Sequence, residues 1–405
     1  MRISLIHTFI LTLLLVNKCD QVMPQDTGKN ISQMLSSLGF ENIRMIQSGD
    51  TLKLAYENNK YRWDVRGLIV VLDSVANHVQ PETHLEIVTL NEGIPVFETR
   101  IMAGDWFGFT NGTLTKDELD GKIKLTNLTD KTWKELKEVK QSNSDLFKFD
   151  FIIYPQIYIQ NNYFDYIYEM QFNIAPAVEF SLWKGNTFTG QVIIPLYNNV
   201  HLSPQGNYFR PGYITISQEF RLPGPFFSCV TIGKFNADRY GIDLSLTHPF
   251  RNPHWEIGME VGFTGWTYFD HGILNLGREL RPTWNVTGSY YYSRYDMQFD
   301  LRVGRYLYGD YGVRVDCTRH FGETAVGFYG MYSGGEPNAG FHVAIPFPPG
   351  NRGKHHRFNI LPPRYFDWEY KVRNLLVRGQ YYKASPDINR SGDYFNLIYI
   401  KNSLH

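Results

Sequence analysis

Between residues 145 and 350, apolar and polar side chains alternate with a period of two, and no other feature limits the possible fold of this chain so strongly. The clearest stretch sets Met297, Phe299, Leu301 and Val303 against Asp296, Gln298, Asp300 and Arg302. Val313 and Val315 stand against Arg314, Asp316 and Thr318, and Trp255, Ile257, Met259 and Val261 against Glu256 and Glu260. Such a region is a series of antiparallel strands with one apolar and one polar face. Two architectures share that pattern. In a soluble sandwich the apolar faces stack and the polar faces meet water; in a membrane barrel the apolar face meets lipid and the polar face lines the interior.

Strand length and strand ends separate the two. The segments run to about 9–13 residues, near the reach of a tilted membrane strand and longer than the ordinary strand of about 5–6. Aromatic residues gather at their ends, as at Trp183, Tyr197, Trp266, Trp284, Tyr290 to Tyr292 and Tyr306 to Tyr311, where an amphipathic ring suits a half-wet interface. The turns Ala237-Asp238, Tyr308-Gly309-Asp310 and Gly322-Glu323 read as short connections of one rim, with 160–169, 198–209 and 270–280 as longer loops of the other. The reading is an all-β outer-membrane barrel of about 12 antiparallel strands over 145–350, with 351–405 as an extension serving as further strands, plug or rim.

The first part of the chain has a different grammar. Met1-Arg2 and the apolar run Ile3 to Val16 read as a signal peptide over 1–22, too short to span a bilayer, with Cys19 a possible site of lipidation. Residues 28–104 mix helical and strand periods. Ile31, Met34, Leu35 and Leu38 mark a helix stopped by Gly39, and hairpins turn at Ser48-Gly49-Asp50 and Asn91-Glu92-Gly93. Asp64 is placed to cap a second helix with Leu68, Ile69, Leu72 and Val75 on its apolar face. The order αββαββ makes a small α/β domain, giving an α+β unit ahead of the barrel. Residues 105–144 are polar, with one short helix at Trp133, Leu136 and Val139, and read as a linker.

Charge and composition narrow the function. Forty basic residues balance forty acidic ones, which disfavours nucleic acid as a partner. Three cysteines provide neither a disulfide framework nor a four-ligand zinc site, and no Gly-x-Ser-x-Gly or His-Glu-x-x-His occurs. No cofactor or metal is expected.

The stretch Gly304-Arg305-Tyr306-Leu307-Tyr308-Gly309-Asp310-Tyr311-Gly312-Val313-Arg314-Val315-Asp316, continuing through Arg319, Phe321, Val326-Gly327, Gly340-Phe341 and Ile345-Pro346-Phe347, resembles the YjbH-type family of exopolysaccharide and capsule outer-membrane proteins. A weaker likeness runs through Leu38-Gly39-Phe40-Glu41-Asn42, Tyr56-Glu57-Asn58 and Tyr61-Arg62. The resemblance implies a periplasmic domain joined to an outer-membrane barrel in a Gram-negative envelope. It also implies polysaccharide as cargo, other secretion proteins as partners and outer-membrane lipid as surroundings. Relatives often carry a second domain and a second barrel, so this chain reads as the single-barrel version. Its ending, Lys401 to His405, departs from the aromatic terminal strand usual in barrels and puts the closing strand upstream.

The motif from Gly304 to Gly312 reads as a tight turn with glycines at positive φ and interfacial tyrosines, Arg305, Tyr306 and Asp310 among its members. Glu219, Asp243, Glu256, Glu260, Asp296, Asp300, Arg302, Arg314 and Asp316 are candidates for the polar lining of the interior, as ion pairs or as a grip on sugar hydroxyls. His320 and His342 read as interior residues, and His355-His356 as a solvated surface pair. The function expected is a non-enzymatic, accessory or docking component of exopolysaccharide secretion or assembly. Two alternatives stay open at this point: an outer-membrane glycan or lipid hydrolase, for which Asp243 and Glu260 would supply paired carboxylates, and a soluble secreted carbohydrate-binding β-sandwich.

Overall fold

The computed structural model describes residues 25–160, 169–200, 204–270, 272–371, 378–386 and 396–404. Cys19 and the leader lie outside the described residues, as does most of the loop 160–169.

Two sheets hold the strands of the described residues. The first belongs to an N-terminal unit: α1 (Gln25–Leu38), β1 (Glu41–Ser48), β2 (Thr51–Glu57), α2 (Asp64–Ala76), β3 (His84–Asn91), β4 (Ile94–Met102), α3 (Ala103–Thr110), α4 (Lys116–Lys122), β5 (Lys124–Thr126) and α5 (Asp130–Leu136). Its strands lie in the order β1-β2-β3-β4-β5; β2 and β3 are parallel, joined through α2, and the others pair antiparallel. Leu68, Leu72 and Val75 of α2 pack with Leu52, Leu54 and Ile87 of the sheet in one buried core. The hairpins turn where glycine or a tolerant neighbour supplies positive φ, at Gly49 and at Glu92-Gly93. Asp64 is the first residue of α2 and accepts a hydrogen bond from Asn58 Nδ2 at 2.8 Å; Trp63 occupies the cap position without a side-chain bond.

Residues 105–144 are not a linker. They hold α4, β5 and α5, β5 extends the sheet beside β4, and Trp106, Leu119, Ile123 and Leu136 are buried. Their many Lys residues lie on the solvent side of short elements, so composition reported the outside of a packed layer.

The second sheet contains β6 (Phe149–Gln160), β7 (Glu169–Phe180), β8 (Asn186–Asn198), β9 (Arg210–Leu222), β10 (Phe226–Phe235), β11 (Arg239–Pro249), β12 (Trp255–Asp270), β13 (Ile273–Leu276), β14 (Arg281–Tyr292), β15 (Met297–Arg305), β16 (Tyr311–Phe321), β17 (Thr324–Ser333), β18 (Glu336–Pro346), β19 (Phe358–Leu361) and β20 (Tyr365–Lys371). Each long strand pairs antiparallel with the next, and β13 only lengthens the β12 hairpin. At the seam, β19 pairs in parallel with β6 while β20 pairs with β18 and runs beside β6. Pro362-Pro363 lies between β19 and β20, where the missing N–H donors interrupt the ladder. The two segments therefore act as one broken closing strand. Among the described residues the barrel has twelve strands from β6 to β18, leaving β13 aside, and a thirteenth made of β19 and β20.

Side-chain orientation inverts that of a soluble protein. Ile242, Leu244, Met259, Phe263, Leu301, Val315 and Phe328 are exposed on the outer surface. Their neighbours Asp243, Thr264, Asp300, Arg314, Asp316 and Thr318 are buried inside. Exposed aromatics mark both rims: Phe250, Trp255, Tyr295 and Phe321 at one, Tyr197, Trp266, Tyr311 and Tyr332 at the other. No helix among the described residues is long and apolar enough to cross a membrane.

The N-terminal unit caps one rim. Arg62 binds Glu323 in the β16–β17 turn through Nη2–Oε1 (2.9 Å) and Nε–Oε2 (2.5 Å) and also donates to the Phe347 carbonyl. Arg221 at the end of β9 donates to the carbonyls of Pro95 (2.7 Å), Val96 (3.1 Å) and Asn127. Alternation of strand direction places Gly322-Glu323 at this capped rim. Ala237-Asp238 and Tyr308-Gly309-Asp310 instead share the opposite rim with the loops 198–209 and 270–280. Turn length alone does not encode which rim a turn occupies.

Candidate functional site

The interior of the barrel gathers most of the polar residues singled out above, and it divides into a filled half and an open half. In the filled half Arg314, 1% exposed, is the centre of an ion-pair network. Its Nε and Nη2 reach Asp316 at 2.9 and 2.8 Å, and Nη2 reaches Glu369 of β20 at 2.8 Å. The guanidinium lies 3.8 Å from the centroid of the Tyr329 ring, and Tyr381 donates to Glu369 at 3.0 Å. Every charge there has a partner of opposite sign and a geometry that only a planar fork can satisfy. His342 sits beside it, 3.8 Å from Asp316 and bonded to Thr318 (3.0 Å), whereas His320 bonds Gln298 (3.2 Å) and packs on Tyr291 and Tyr399 toward the capped rim.

The C-terminal extension completes this half. Residues 378–386 lie within the barrel: Gly379 N donates to Asp310 (2.7 Å), Leu307 N to the Gln380 carbonyl (3.0 Å), and Lys383 Nζ to Asp367 (2.6 Å). Tyr382 stacks on Phe235 with centroids 5.1 Å apart and donates to Asp243 at 2.5 Å. Gly262 makes that seat possible, because a Cβ there would come within 1.9 Å of the Tyr382 hydroxyl. At the capped rim α6 (Leu397–Asn402) bonds both parts of the molecule. Tyr399 donates to the Gly322 carbonyl (2.7 Å) and Lys401 to that of Asp120 (2.5 Å), while Ile400 and Leu404 enter the core of the N-terminal unit.

The open half is a cavity of about 820 Å³. Glu219, Asp243, Glu256, Glu260, Asp300 and Arg302 all border it. Glu219 lies at the capped rim and accepts from Asn91 at 3.1 Å, Glu260 accepts from Asn285 at 2.5 Å, and Asp300 from Gln298 at 2.8 Å. Arg302 Nε donates to Thr287 at 3.3 Å. Asp296 is not part of this wall. It sits in left-handed conformation in the β14–β15 turn, accepting from Tyr291 (2.8 Å) and from Asn402 of α6 (3.1 Å).

The motif turn also differs from expectation. Of its three glycines only Gly309 has positive φ. Gly304 and Gly312 face each other across β15 and β16, and a Cβ at Gly304 would fall 2.3 Å from the Trp284 carbonyl oxygen. Tyr306 is 4% exposed and faces the interior, whereas Tyr311 is the interfacial ring. Arg305 donates to the Pro282 carbonyl at 2.8 Å, and Asp310 accepts from Ser333 as well as Gly379.

His355 is no solvated surface residue. Its Nδ1 meets Glu41 at 3.0 Å and its Nε2 meets Asp150 at 2.8 Å, joining the N-terminal unit to the first strand; Lys148 also binds Glu41. Burial alone pushes the imidazolium toward neutrality, but the hydrogen bonds and charges of Asp150 and Glu41 outweigh it and lift the group to about 9. A folded-state value above the ordinary one means that the bridge stabilises fully below about pH 6.5 and is lost as pH rises through about 9. We expect the difference in thermal midpoint between the wild type and His355→Gln to shrink over that window; a constant difference would remove the charge from the account.

Residues 16–347 match the family described as "Exopolysaccharide biosynthesis protein YbjH". The chain belongs to the YjbH family. The match spans the N-terminal unit and the barrel through β18, so the broken closing strand and the tail lie beyond it. A comparison with curated proteins finds no match. Among solved structures the chain is similar to OmpT, an outer membrane protein of Vibrio cholerae, at 10% identity with a TM-score of 0.22, over 48% of this chain and 79% of that one.

Proposed function

We propose that this member of an exopolysaccharide biosynthesis family is an outer-membrane barrel that assists secretion or assembly of the polymer without being its open conduit and without catalysing a reaction. The N-terminal unit faces the periplasm and offers its surface to other secretion proteins. Lipid accounts for the outer face: apolar rows bounded by aromatic rims are the surface that a closed membrane sheet presents. One observation carries the accessory role. The interior is occupied by residues 378–386 and by the Arg314 network, and the rim beneath is capped by the N-terminal unit.

Planar-bilayer recording tests it. The full chain is expected to show no large stable openings, and openings of porin size would overturn the reading. Asp243 is engaged by the Tyr382 hydroxyl and Glu260 by the Asn285 amide, a use of these carboxylates that weighs against the hydrolase alternative.

A further inference from the structure

We propose that the capped rim binds the headgroups of anionic phospholipids in the leaflet it meets, through a belt of arginines seated on exposed aromatic rings. The inference rests on the membrane-barrel reading above and adds which lipid the outer surface selects, and where. Three neighbouring hairpins carry most of the belt. Arg251 follows Phe250 in the β11–β12 turn, Arg294 lies in the β14–β15 turn, and Arg319 stands two residues before the end of β16. The strands that bear them are consecutive in the wall, and Arg357, just ahead of β19, adds a fourth guanidinium at the seam. All four residues are exposed.

Arg319 decides the kind of partner. It belongs to the outward row of β16 that also holds Val313, Val315 and Phe321, and across the two ladders it faces Met297 and Val326. A cation on a lipid-facing row is costly at the bilayer centre but tolerated at headgroup level, where a long side chain reaches phosphate. The rings supply a second, independent observation. The Arg294 guanidinium lies 5.5 Å from the Tyr295 centroid, that of Arg319 4.8 Å from Phe321, and that of Arg357 5.8 Å from Phe358. A ring beside a guanidinium steadies it and leaves the N–H fork free for an anion. Among the described residues none of the four guanidinium groups has a carboxylate partner.

The two rims differ in how their charges are spent. Carboxylates of the capped rim are engaged away from lipid: Glu323 by Arg62, Asp150 by His355, and Asp296 by Tyr291 and Asn402. What that rim shows on its outer side is therefore cationic. At the opposite rim both signs occur and pair, Arg281 with Glu279 at 3.1 Å and Lys234 with Asp238 at 3.8 Å. Several unpaired arginines at a membrane surface draw anionic lipid, and their attraction adds residue by residue.

The test uses the full chain in micelles of a neutral detergent, titrated with phosphatidylglycerol and with phosphatidylcholine and read by native mass spectrometry as lipid retained. Phosphatidylglycerol is expected to bind at least fivefold more tightly, the effect of about one arginine beside an anionic surface. The variant with Arg251→Gln, Arg294→Gln, Arg319→Gln and Arg357→Gln is expected to hold both lipids alike while its unboiled gel migration stays that of the folded barrel. Arg319→Gln alone, which asks least of folding, is expected to lower the preference about twofold. Arg278→Gln with Arg281→Gln at the opposite rim is expected to leave it unchanged. Equal affinities in the wild type, a preference that survives the quadruple variant, or one lost in the opposite-rim variant each overturns the belt. Displacement of phosphatidylglycerol by an equal concentration of inorganic phosphate also overturns it, by showing a site for a free anion. A chain that is no membrane barrel fails earlier, with no heat-modifiable band; a chain with that band and no lipid preference loses the belt alone.

Discussion

Replacing Arg314 with alanine will lower the stability of the barrel by ~3–5 kcal/mol, the usual cost of breaking a buried pair from one side. The guanidinium is nearly inaccessible and holds two carboxylates, Asp316 at 2.8 Å and Glu369 at 2.8 Å, so the variant takes from both interior charges their closest counter-ion and leaves Glu369 only Lys371 at 3.8 Å. It also removes the plate on which Tyr329 packs. The loss is readable as the temperature at which the compact, fast-migrating band on an unboiled gel converts to the unfolded one. Combining Arg314→Met with Asp316→Leu and Glu369→Gln should recover much of it, because an uncharged set of similar volume has no charge to desolvate. Arg314→Ala melting like the wild type would show that the network contributes nothing to holding the interior shut.

Alanine at Leu404 or Ile400 will destabilise the N-terminal unit by ~2–5 kcal/mol each, the range for truncating a large aliphatic core residue. The two side chains are 2% and 3% exposed and share a core with Leu52, Leu68 and Trp106, about three hundred residues earlier in the sequence. Limited proteolysis should then cut the N-terminal unit while the barrel keeps its compact migration. If cleavage is no faster than in the wild type, α6 only rests on the surface of that unit.

What could be read beforehand follows from how local each signal is. Period-two alternation is written residue by residue, and the strands holding Met297 to Val303 and Val313 to Thr318 lie where it places them, polar side inward. Hairpins with glycine were equally legible at Gly49 and Gly93. The thirteenth strand was not, because Pro362-Pro363 cuts it into pieces of four and seven residues that carry too few alternations. Long-range partners left no local trace. His355 sits in a basic run and gives no sign of Glu41, some three hundred positions away, nor do Tyr381 and Tyr382 announce that they fill a barrel. The polar stretch 105–144 misled for a related reason, since short helices covering one side of a sheet need few apolar residues.

An odd number of crossings has a geometric price tag. With thirteen strands among the described residues, the first and last both rise away from the N-terminal unit, so the chain leaves the wall at the rim farthest from where it entered. An even count would have returned it to the starting side for free. Here Ile400 and Leu404 are nevertheless found beneath the barrel, and residues 378–386 are found inside it. The parallel seam and the lodged segment are thus two faces of a single topological fact: an odd wall lets the chain go at the far rim, and residues 378–386 lie back inside the space that wall has just enclosed.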